Sequence, residues 1–186
     1  MINGTVYRLN ATVSKAGATL TSKTQIGGGY LIANNFPTAI NGPAGLAYDS
    51  KRDILYVASE QDNEIFAIAG ASKASSTTTT GTLVYSDNTH LHGPTGLLLL
   101  NNGDLLTAND DGVNPGADGA NPSEIVEFTP ATNSAPDGTF VTQYSVDPLQ
   151  GGAFVIARLT MGVQTQLAYV DDVAVTLSVL SLFANY

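Results

Sequence analysis

A short motif that returns along the chain constrains the fold more than any other feature. Gly42-Pro43-Ala44-Gly45-Leu46 and Gly93-Pro94-Thr95-Gly96-Leu97 open two segments that read alike. The first continues through Ile54-Leu55-Tyr56-Val57-Ala58-Ser59 and Asn63-Glu64-Ile65-Phe66-Ala67-Ile68. The second continues through Leu105-Leu106-Thr107-Ala108-Asn109 and Ser123-Glu124-Ile125-Val126-Glu127-Phe128. A looser third copy starts at Gln150-Gly151-Gly152-Ala153-Phe154 and runs on through Leu167-Ala168-Tyr169-Val170-Asp171 and Thr176-Leu177-Ser178-Val179-Leu180. Repetition at this period is the signature of stacked supersecondary units.

Each unit holds short apolar or alternating runs separated by Gly, Pro, Asn and Asp, which is the pattern of strands and turns. A fourth run follows in two units, at Thr82–Tyr85 and Thr139–Tyr144. Four strands in about 40 to 50 residues match one blade of a β-propeller. A sandwich also uses many short strands, but it gives no reason for the same motif to recur at the first strand of each unit. The chain is therefore read as all-β, a propeller of about three four-stranded blades. The units fall roughly at 1–40 (outer strands only), 41–90, 91–148 and 149–186. Gly27-Gly28-Gly29 reads as a turn, and Ser75 to Thr80 as a polar connector.

The GPxGL starts, with LYVAS and NEIFAI in one unit and SEIVEF in the next, resemble bacterial NHL-repeat β-propellers over nearly the whole chain. The resemblance implies about six blades, and this chain supplies about half of them. Three blades do not close a ring, and open blade faces invite association. Two completions follow. Either the chain is a fragment of a longer propeller, or two copies form a six-bladed homodimer in which the N-terminal strands of one copy complete the terminal blade of the other.

Charge restricts the partners. The chain carries 16 acidic and 7 basic residues, a net charge of -9, and after Lys73 its only basic side chain is Arg158. Binding to nucleic acid or to an anionic membrane draws on clustered Lys and Arg, which this composition does not supply. Cationic ligands, divalent metals, neutral molecules and protein partners remain. The sequence has no cysteine, which removes thiolate chemistry and disulfides. The first residues lack the regions of a signal peptide, while low charge with abundant Thr, Asn and Gly leans towards a secreted or periplasmic protein; a cytoplasmic one stays open.

Candidate site residues follow from the repeat. Asn41, His92 and Gln150 precede the three starts and are expected at one mouth of the central channel, as a polar ligand-binding set. His90 and His92 share a face if their segment is extended, and two imidazoles then hold part of a zinc or copper site. Asp110, Asp111, Asn114 and Asp118 lie in the longest loop and offer oxygen ligands for calcium, though not at EF-hand spacing. Glu60, Asp62, Asn109, Asp110, Asp171 and Asp172 follow second strands, where turns are expected to lie away from the ligand mouth. Glu124 and Glu127, three apart on a strand, point to opposite faces and do not form a catalytic pair. The resemblance adds that some NHL-type lyases bind zinc through channel histidines and that six-bladed lactonases bind calcium through Glu, Asn and Asp. No nucleophile elbow, P-loop or HExxH motif is present. The reading is a binding or assembly module that takes a small neutral or cationic ligand, or a protein, at its channel mouth. The alternative is a metal-dependent hydrolase, lactonase or lyase.

Overall fold

The computed structural model describes residues 4–35, 39–114, 124–148, 151–161 and 164–181. Among these residues every regular element is a strand. β1 (Gly4–Ser14) and β2 (Gly17–Tyr30) form a long hairpin, and β3 (Ala33–Asn35) pairs with β4 (Ala39–Asn41). β5 (Pro43–Asp49), β6 (Ile54–Ser59), β7 (Glu64–Ala69) and β8 (Thr82–Ser86) make an antiparallel meander. A second meander comprises β9 (Pro94–Leu99), β10 (Leu105–Asn109), β11 (Glu124–Thr129) and β12 (Thr139–Ser145). The last sheet has three strands, β13 (Ala153–Met161), β14 (Gln164–Asp171) and β15 (Thr176–Ser181).

The sheets stack face to face as blades do, with the first strands innermost: β5 lies against β9, and β9 against β13. The motif explains this contact. A Cβ built on Gly45 would sit 2.4 Å from the Thr95 carbonyl oxygen, and one on Gly96 would sit 3.0 Å from the Ile156 amide nitrogen. The second glycine of GPxGL is therefore the point where one inner strand meets the next backbone.

Because side chains alternate along a strand, the first and middle four-stranded sheets each serve two cores. Tyr56, Ala58 and Ile65 of the first sheet pack against Leu97, Leu105 and Phe128 of the middle sheet, with the Tyr85 and Phe128 rings stacked 4.2 Å apart. Leu106, Ala108 and Ile125 point the other way, onto Ala153, Ile156 and Leu167 of the last sheet. Val57, Phe66 and Ile68 leave the far side of the first sheet and meet Val6, Ile26 and Tyr30 at the base of the β1–β2 hairpin.

The expected turn at Gly27-Gly28-Gly29 is not there: β2 runs through it to Tyr30. The glycines instead admit the connector, since the Gly28 amide donates to the Thr79 carbonyl (2.9 Å) and a Cβ on Gly28 would meet Thr78. The Tyr30 hydroxyl adds a bond to the Thr80 carbonyl. The polar stretch from Ser75 to Thr80 is thus tied to β2 over part of its length.

Candidate functional site

Antiparallel pairing puts the start of each first strand beside the end of each second strand. Pro43 faces Ser59, Pro94 faces Asn109 and Ala153 faces Asp171. This register makes Gly151, not Gln150, the counterpart of Asn41 and His92. Gln150 itself lies outside the described residues. Asn41 is the last residue of β4.

The same register corrects the expected position of the turns after second strands. The Glu60 amide donates to the Gly42 carbonyl, Asp110 to Gly93 and Asp172 to Gly152. These three acids therefore occupy equivalent places at the end where the first strands start. Two of them, Glu60 and Asp110, act on each other across the seam between the first and middle sheets. Burial, and then the neighbouring Asp110 charge, pushes Glu60 up to about 8. Burial raises Asp110 as well, against the amide of Gly112, which donates to its Oδ1 at 2.8 Å. Asp111 and Asp172 act on Asp110 in the same upward direction. A carboxyl pair of this kind holds a proton at neutral pH.

His92 is buried, at 2% exposure, and its bonds go to the loops around it. Its amide donates to Asn109 Oδ1 (3.1 Å) and its Nδ1 donates to the Asn114 carbonyl (2.9 Å). Its Nε2 lies 3.7 Å from Glu124 Oε1. Asn109 ties the group together, donating from Nδ2 to the His90 carbonyl (2.7 Å) and to Glu124 Oε1 (2.8 Å). Asn63 clamps the neighbouring turn from a left-handed conformation, donating to the Leu91 carbonyl and accepting from the Gly93 amide. Asn tolerates that conformation well, and the repeat gives no sign of its role.

His90 and His92 do not converge. Residues 87–91 turn, with the His90 and Leu91 amides both on the Asp87 carbonyl. The His90 ring leans on Phe140 (3.8 Å between centroids) and bonds Asp87. Burial alone would raise Asp87, but hydrogen bonds from His90, the Thr89 amide and Tyr85 hold it below the usual carboxylate range.

The loop acids also diverge. Asp111 Oδ2 accepts from the Gly151 amide, and Asn114 Nδ2 donates to the Asn88 carbonyl. Asp118 lies outside the described residues. Among the described residues no three His, Asp or Glu side chains are grouped to hold a metal ion. Glu124 and Glu127 are both buried, Glu124 beside His92 and Glu127 accepting from the Tyr144 hydroxyl (2.9 Å).

The opposite end of the stack holds Lys51, Arg52 and Arg158, set among Asp49, Asp53 and Asp104. A cavity of about 500 Å³ between the β5–β6 and β9–β10 turns is lined by Tyr48, Lys51, Arg52, Leu99, Asn101 and Arg158. Arg158 donates to Asn101 Oδ1 (2.7 Å), and Arg52 is paired with Asp49.

A scan of protein-family models and a search of curated proteins each found no match. Solved structures give a distant likeness. Virginiamycin B lyase from Staphylococcus aureus aligns with a TM-score of 0.44 and 13% identity, over 84% of this chain and 47% of that one. A catalytically inactive form of the same lyase with quinupristin aligns at 0.43 and 15%, over 97% and 61%. The chain thus spans about half to three fifths of the length of these neighbours.

Proposed function

We propose that this chain is a non-enzymatic binding module of NHL-like blades that takes a small cationic ligand at the end where its first strands start. One observation carries the reading: equivalent turns of successive sheets supply Glu60, Asp110 and Asp172 to that end, where burial raises the first two. Asp172 is exposed, Asp110 and Asp111 are partly exposed, and Glu60 is buried. An ammonium group accepted there replaces the proton held by that pair with its own charge, so binding releases a proton near neutral pH. Titration calorimetry with spermidine in two buffers of different ionisation enthalpy tests this. Binding with proton release, abolished by Asp110→Asn, is expected. Absence of heat in both buffers overturns the reading.

A second reading, a hydrolase or lyase, draws support from the His92–Glu124 contact, because a carbonyl on Nδ1 fixes which ring nitrogen faces the carboxylate. Both side chains are at most 2% exposed, so a substrate reaches them only if the Asp110–Asn114 loop opens. His92→Ala separates the readings. A structural latch loses thermal stability, whereas a catalytic base leaves the melting temperature nearly unchanged.

A further inference from the structure

We propose that the open face of the β13–β15 sheet is covered by the β1–β2 hairpin of a second copy of this chain, so that two copies close into one ring of stacked sheets. This goes beyond ligand binding and rests on different surfaces.

The last sheet is apolar on both sides but covered on one. Ile156 and Leu167 are buried against the middle sheet. The alternate residues form the other face: Val155 pairs with Val170, Val170 with Leu177, and Ala168 with Val179. There Val155 is 47% exposed, Leu177 73% and Val179 54%.

The hairpin has the matching property. Its base turns Val6 and Arg8 towards the first sheet, where Val6 is buried and Arg8 donates to the Ala71 carbonyl. The opposite face carries Tyr7, Leu9, Ala11, Val13 and Leu20, with Ala11 facing Leu20 across the strands. Leu9, Val13 and Leu20 are 59%, 79% and 57% exposed. A two-stranded ribbon is marginal in water without packing on one side, so this face calls for a cover.

Two observations select the occupant. First, the last sheet does not receive another blade in the manner of the first two. The position of Gly45 and Gly96, two residues beyond the paired start of the first strand, is Val155 in β13. Where glycine stands, inner strands approach so closely that a Cβ would meet backbone atoms; valine keeps a neighbour further off. The hairpin covers a sheet without that approach, as its own base does on the first sheet through Val6, Ile26 and Tyr30. Second, charge is segregated. Residues 4–30 contain Arg8, Lys15 and Lys23 and no acid, which leaves -9 - 3 = -12 on the rest of the chain. Lys23 lies in the apolar face, over the Tyr7 ring at 3.8 Å. Unlike charges draw the hairpin of one copy to the acidic body of the other and away from its own kind. Each copy offers one surface of each type, so a twofold pair uses both twice and closes.

Light scattering on the eluting full chain at tens of micromolar tests the pairing. The expected mass is 2 × 19.2 kDa. Val13→Glu and Val179→Lys, both at exposed positions, should each give the 19.2 kDa monomer with an unchanged circular dichroism spectrum. Mixed in equal amounts, the two variants should recover a dimer, because one of the two contacts is then wholly native. A monomeric wild type, a dimer indifferent to both substitutions, or open filaments would each overturn the proposal.

Discussion

The middle and last sheets grow from the same repeat, yet they live in different surroundings. Every residue of β10 is buried, and five of six in β11. No residue of β15 is buried. The difference does not come from composition, since the last sheet carries Val155, Val170, Leu177 and Val179 on the side where the middle sheet carries the partners of a neighbour. It comes from the number of faces that have something to pack against. Burial of an apolar strand is thus a property of the stack, and a sheet keeps a two-sided hydrophobic sequence only where two sides are used.

The comparison breaks most readily at the seam of inner strands. Gly45→Val should cost about 3 kcal/mol or more, since its side chain enters the space held by Thr95 and Leu97. Val155→Gly, at the same place in the last sheet and measured on the Val13→Glu monomer, should cost under about 1 kcal/mol. Urea unfolding of the two variants measures the contrast. Next in size, Leu106→Ala in the middle sheet should lose about 2–5 kcal/mol. Leu177→Ala, measured on the Val13→Glu monomer, should change stability by less than about 0.5 kcal/mol. Equal losses would remove the distinction between covered and open faces.

The covered seam is also read through pH. Glu60 holds its proton to about 8 in the fold against an ordinary 4.5, so the folded chain binds that proton more tightly than the unfolded chain. Stability from this group is full below about pH 4.5 and falls as pH rises towards 8. Asp110, also raised, works in the same direction. Glu60→Gln should flatten the decline in melting temperature between about pH 5 and about pH 8. A parallel decline in both proteins would show that the seam between the first and middle sheets holds no such proton.

The all-β architecture was legible because GPxGL, turn residues and alternating runs all serve one arrangement; even the glycine that admits the next inner strand stands in the motif. The site was less so. His92 and Asp110 stand out in the sequence, but their partners Asn63, Asn109, Glu60 and Glu124 come from other turns and strands and are identified only by pairing register. Gly27 to Gly29 misled because glycine serves close approach as readily as reversal, and the choice between them depends on Thr78 and Thr79, some fifty residues away. The slip from Gly151 to Gln150 has a similar origin: two adjacent glycines leave the alignment of the third start free by one residue.

The two ends of the stack give the molecule a permanent polarity. At one end Lys51, Arg52 and Arg158 stand among Asp49, Asp53 and Asp104, whereas Glu60, Asp110, Asp111 and Asp172 gather at the other. Strands of about six residues separate them by roughly 20 Å. That is more than twice the screening length of about 8 Å at physiological ionic strength, so each end presents its own field to solvent. A cation arriving from solution is drawn to the acidic end before it touches a side chain. Dilute buffer should widen the difference in capture rate between the ends, and concentrated salt should erase it, with no change in the fold.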